Sequence, residues 1–214
     1  MPKFEIISKG ESAMLKINAE AGEVYQTEGG AMVCMDPVFQ TKTTGGGLGK
    51  MLGRGLSGES MFMQYYKATS NGEILLAPKS NGDIQGVRLD GNRSITISNG
   101  NFLACSQGVN IESKIKARGM IGSGEGLVGL VASGNGYLFT NSCGSVYKKV
   151  LDEGEHYVVD SGHLIMWDTS LKVSSELAGG IANSILSGEG VVAKFTGPGE
   201  IWIQTRSERN MTIK

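Results

Sequence analysis

Short apolar runs punctuated by glycine recur along this chain, with the spacing of strands and turns rather than of long helices. AMVCMD, NFLACS and HLIMWD each follow a glycine, at Gly30, Gly100 and Gly162. Upstream of these stand Gly22-Glu23, Gly91-Asn92 and Gly154-Glu155. A second marker, Ser57-Gly58-Glu59, returns as Ser123-Gly124-Glu125 and Ser187-Gly188-Glu189. The residues after each copy read as strand, glycine turn, strand, with turns at Asn71-Gly72, Asn135-Gly136 and Pro198-Gly199. Asn-Gly between apolar runs suits a hairpin, because both positions tolerate positive φ.

Two markers in one order, three times, predict an all-β chain built from three pseudo-repeats over 22–90, 91–153 and 154–214. Residues 1–21 carry the strand SAMLKINAEA, which matches GDIQGVRLD and GSVYKKVLD ahead of the other units. This segment is expected to close on the last unit, giving one pseudo-three-fold body. Short helices are expected in the variable connections. Leu48, Met51 and Leu52 have helical spacing in the first. In the third, Leu177, Ile181 and Ile185 do, with Ser174 or Ser175 as N-cap.

Composition narrows the function classes. Glycine supplies 33 of 214 residues, but with 4 prolines and no G-X-Y period collagen is excluded and many tight turns are implied. An apolar fraction of 40% argues against disorder. The net charge of −1 removes the basic excess expected of a non-specific nucleic-acid binder. Cys34, Cys105 and Cys143 have no C-x-x-C spacing, so neither a disulfide framework nor a zinc site is indicated. No signal peptide or membrane span is expected, and a reduced, cytoplasmic setting is the simplest account.

Candidate chemistry is sparse. Gly53-x-Gly55-x-x-Gly58 and Gly124-x-Gly126-x-x-Gly129 match a dinucleotide fingerprint, but each leads into a strand and reads as turn glycines. Gly45 to Lys50 fails the phosphate-loop spacing at Thr44 and Met51. His156 and His163, with Asp160 or Asp168, make too thin a set for a metal. No catalytic, cofactor-binding or metal-ligating residues are assigned, and an enzyme is not expected. The Ser-Gly-Glu copies read as turn devices: Ser bonds local backbone, Gly takes the unusual φ, and Glu faces solvent or a partner. Lys114, Lys116 and Arg118, with Lys148 and Lys149, are the basic runs, and no aromatic residues are interleaved for base stacking. Leu48, Lys50, Met51, Leu52 and Arg54, with Leu56, form an apolar, weakly cationic turn that could face a protein partner or a membrane surface.

GGGLGKMLGRGLSGES, NFLACSQGVNIE, VVDSGHLIMWDTS and GEGVVAKFTGPGEIWIQTRS, in this order, resemble the TRAP-like family related to the mitochondrial "altered inheritance of mitochondria" proteins. The resemblance spans nearly the whole chain. It implies modules similar to the short double-stranded β-helix of the trp RNA-binding attenuation protein, and a homotrimer whose modules form a ring. It brings no catalytic residues. The expected function is a non-enzymatic oligomeric scaffold or interaction protein. The alternative is a ring that binds a small molecule or RNA.

Overall fold

The computed structural model describes residues 3–10, 12–44, 63–114, 129–177 and 191–207. They form eighteen strands and one 3-10 turn, Ser161–His163. Up to the first gap these are β1 (Phe4–Ile7), β2 (Met14–Ala19), β3 (Val24–Glu28), β4 (Met32–Met35) and β5 (Phe39–Thr44). Next come β6 (Met63–Ala68), β7 (Gly72–Leu76), β8 (Ile84–Asp90), β9 (Ile95–Ser98), β10 (Phe102–Ser106) and β11 (Val109–Lys114). The remainder are β12 (Gly129–Asn141), β13 (Val146–Leu151), β14 (His156–Asp160), β15 (Leu164–Asp168), β16 (Lys172–Leu177), β17 (Val191–Thr196) and β18 (Gly199–Gln204).

All ladders between these strands are antiparallel, and they fall into matching triplets. The orders β2-β7-β4, β8-β12-β10 and β13-β18-β15 share one pattern. So do β5-β6-β3, β11-β12-β9 and β16-β17-β14. Strands β2, β3 and β17 alternate buried and less buried residues, as a sheet with one core face requires. Three successive apolar clusters fill the inside. Leu15, Ile17 and Ile74 belong to the first, Leu89, Ile97 and Leu138 to the second, and Trp167, Phe195 and Ile201 to the third.

Several expectations need correcting. Among the described residues, the N-terminal strands do not pair with the last unit. β2 lies between β1 and β7, so its buried Leu15 and Ile17 join the first core cluster. The helix expected from Ser174 or Ser175 does not begin there, because Lys172–Leu177 is β16, paired residue for residue with β17, while Ile181 and Ile185 lie outside the described residues. At these positions an available partner edge overrides a weak N-cap signal.

Asn135-Gly136 is not a hairpin turn either. It lies inside β12, whose first half pairs with β9 and β11 and whose second half pairs with β8 and β10. The bend is made at Gly134 (φ +100°), packed against Gly108 (φ +92°). A Cβ on Gly136 would sit 2.6 Å from Ser106 Oγ and 2.9 Å from Val109 Cγ2. Gly136→Val is therefore expected to destabilise the fold by about 2–3 kcal/mol through crowding. A thermal melt unchanged by the substitution would contradict this close approach.

Candidate functional site

The residues singled out for partner contact, Leu48, Lys50, Met51, Leu52 and Arg54, lie outside the described residues. So do Leu56, the three Ser-Gly-Glu copies (Ser57, Gly58, Glu59; Ser123, Gly124, Glu125; Ser187, Gly188, Glu189), and Lys116 and Arg118. The remaining candidates are dispersed. His156 Nδ1 lies 3.0 Å from Thr196 Oγ1, while His163 Nδ1 lies 2.8 Å from the Gln204 carbonyl. Asp160 accepts a hydrogen bond from the Gly162 N–H at 2.8 Å. Lys148 pairs with Glu200 at 2.5 Å and Lys149 with Glu155 at 2.7 Å, so this basic pair is neutralised locally. No disulfide is present, and burial pushes the Cys105 thiol up to about 12, whereas Cys34 is exposed.

What the structure does bring together is a set of strand edges. β10 pairs with β3, placing Ala104 opposite Thr27, Cys105 opposite Gln26 and Ser106 opposite Tyr25. β15 pairs with β9, placing Met166 opposite Ile97, Trp167 opposite Thr96 and Asp168 opposite Ile95. Beyond these ladders the Gln107 N–H donates to the Val24 carbonyl, and the Thr169 N–H to the Ser94 carbonyl, each at 3.0 Å. Covered on both faces, Phe102–Cys105 of β10 and all of β15 are buried.

β4 sits on β7 as β10 sits on β12 and β15 on β18. Each of the three ladders has the same one-residue irregularity, between Met32 and Cys34, Phe102 and Ala104, and Leu164 and Met166. Yet β4 pairs with no other described strand on its far side, and Met32 (40%) and Val33 (53%) are open to solvent. β14 matches β3 and β9 in its ladder with β17, and its far side is likewise unpaired among the described strands. Its Val158 is 55% exposed. β4 and β14 are therefore unlike edges, each open among the described strands and each with exposed apolar side chains.

Polar groups finish each edge. Asp36, Ser106 and Asp168, just after β4, at the end of β10 and at the end of β15, accept hydrogen bonds from the backbone N–H groups of Glu73, Tyr137 and Glu200 at 2.8, 2.8 and 2.7 Å. At the β9–β15 junction Arg93 reaches across to Asp168 (2.5 and 3.1 Å) and to Glu200, with its guanidinium 5.2 Å from the Trp202 ring centre. Burial disfavours the Glu200 charge, but Lys148 and Arg93 outweigh it and hold the carboxyl below its usual range. At the β3–β10 junction Glu23 bonds Lys3 and the Tyr25 hydroxyl, beside a cleft of about 210 Å³ lined by Phe4, Ser106, Gln107 and Tyr137.

Arg93→Met leaves two carboxylates facing each other. It is expected to cost about 1–2 kcal/mol, less than a fully buried pair because the guanidinium is partly exposed. A depressed carboxyl adds stability above its unfolded pKa and loses it as pH falls through the folded value. The variant's deficit, measured by denaturant melts, should therefore shrink from pH 7 to pH 4. A constant deficit would contradict the ion pair.

Comparison with known proteins places the chain in a family. The sequence profile of Mitochondrial biogenesis AIM24 matches residues 4–206. The chain belongs to that family. It is 33% identical over 213 residues to an uncharacterized protein of Streptococcus pyogenes serotype M6, covering 95% of this chain and 85% of the relative. It is also similar to a crystal structure of a Streptococcus pyogenes protein, with TM-score 0.83 and 31% identity, covering 97% of this chain and 95% of that one. As an AIM24 family member the chain is all-β, and among its described residues no helix is long and apolar enough to cross a membrane.

Proposed function

We propose that this AIM24-family chain is a non-enzymatic scaffold that assembles with copies of itself, β4 of one chain pairing with β14 of the next. One observation carries this reading: β4 and β14 repeat the ladders of strands that are paired inside the chain, yet both are open and apolar. We read the matching triplets as three copies of one module, of the kind found in the trp RNA-binding attenuation protein. Two module junctions lie within a chain, and a third would form between chains. Because the two edges differ, the contact is head-to-tail, and it closes into a ring when the rotation allows. The proposed ring holds three chains, in which every β4 is paired with a β14.

Native mass spectrometry tests the assembly. A mass three times 22.6 kDa is expected. A single-chain mass at every concentration would overturn the reading. The cleft beside Lys3 and Tyr25 supports a second reading, a ring that holds a small molecule. That reading requires a stoichiometric adduct in the same spectrum.

A further inference from the structure

The three junctions carry different charges. Counting back from the ladders, Tyr25, Ile95 and Tyr157 take one place, opposite Tyr66, Ala132 and Phe195. Two residues earlier stand Glu23, Arg93 and Glu155. The facing module presents Ser106 and Tyr137 to Glu23, and Asp168 and Glu200 to Arg93. In a junction between chains, the corresponding residues are Asp36, just after β4, and Glu73 of β7. The inner junctions thus set a carboxylate against neutral groups, or a guanidinium against two carboxylates. The outer one sets Glu155 against two carboxylates.

On this head-to-tail reading, we infer that the contact between chains is a reversible, acid-tightened joint, held back at neutral pH by Glu155 of one copy meeting Asp36 and Glu73 of the next. Two cations offset part of this charge: Lys149 pairs with Glu155, and Lys16 pairs with Glu73 while also feeling Glu5, which leaves Asp36 as the carboxylate in excess. Asp152 and Glu153 add negative charge at the turn before β14. The Glu155 carboxylate also accepts the Asp152 N–H at 3.0 Å, so it has a fixed place near the edge. Backbone chemistry weakens the same joint. Gln107 and Thr169 each donate an N–H across their junction, but the residue in their place beyond β4 is Pro37, which has none. His156, the neighbouring histidine, projects from the opposite face of β14.

Protonation of carboxylates crowded by assembly favours the assembled state, so acid tightens the joint. In a His156→Gln background, sedimentation analysis should show the chain–chain dissociation constant falling by about tenfold between pH 7.5 and pH 5. Glu155→Gln should flatten this dependence. Glu155→Arg recreates the Arg93 arrangement between chains, and should tighten assembly at pH 7.5 by about tenfold or more. Salt should then act with opposite sign, strengthening the parent assembly and weakening that of Glu155→Arg. Assembly that Val158→Pro abolishes, but that ignores both pH and Glu155, would overturn this inference and leave the edge pairing standing. A chain that stays single at both pH values, also as Glu155→Arg, would overturn the pairing and the inference together.

Discussion

Gly82→Ala is expected to lower the melting temperature by about 6–12 °C, corresponding to roughly 3 kcal/mol or more. A Cβ at this position would lie 1.7 Å from the Ser142 carbonyl oxygen and 3.0 Å from the Gly144 nitrogen. Both are backbone atoms, so no rotamer change relieves the clash. Gly82 is also the middle of a chain of parallel bridges, from Ser12 to Gly82 to Gly144. The Ala13 N–H donates to the Gly82 carbonyl at 3.2 Å, and the Asp83 N–H to the Gly144 carbonyl at 3.0 Å. Buried Ser142 ties the spot further, accepting from the Asp83 N–H and donating to the Gly144 carbonyl at 2.7 Å. Displacing Gly82 therefore disturbs the segments before β2, β8 and β13 together. Gly22→Ala is the control: its φ is +90° but nothing lies near its missing Cβ, so only about 1 kcal/mol of backbone strain is expected. Equal melting shifts for the two variants would contradict the close approach at Gly82.

Val158→Pro is expected to remove self-assembly while the chain stays folded. The Gln107 and Thr169 hydrogen bonds fix which residues face across the inner junctions: Gln26 and Thr96 direct their N–H groups towards β10 and β15. Val158 holds the same place in β14, so its N–H points away from β17. Proline there removes a donor only from the open edge, where the residue is tolerated. The expected result is a single-chain mass with a melting temperature close to that of the parent. Intact assembly in this variant would exclude β14 as the edge in use.

Much of the fold was legible in the chain, because glycine markers bracket short apolar runs of strand length. AMVCMD, NFLACS and HLIMWD supply β4, β10 and β15, and the runs before the other markers supply β2, β8 and β13. Partner choice was less legible. Asn135-Gly136 carries a hairpin signal, yet the bend is made one residue earlier at Gly134, because Gly108 leaves room for β12 to pass between sheets. Nothing local marks β2 as the neighbour of β7 rather than of the last unit. Arg93 was missed because its partners, Asp168 and Glu200, are 75 and 107 residues away. The available signal was a basic residue in GNRSI where GEVY and GEHY carry glutamate.

On the proposed assembly, β4 of one copy lies against β14 of the next, in the register that both inner junctions share. That register puts Cys34 opposite Val159, as Ala104 lies opposite Thr27 and Met166 opposite Ile97. Such a non-hydrogen-bonded pair brings the Cα atoms to about 4.5 Å, within disulfide range. Cys34 is exposed, whereas Cys105 and Cys143 are buried. Mild oxidation of Val159→Cys is the most direct measurement. Covalent trimer on a non-reducing gel, absent when Cys34 is also changed to Ser, is the result expected. A chain that oxidises only to monomer, while sedimenting as an oligomer, would contradict the pairing.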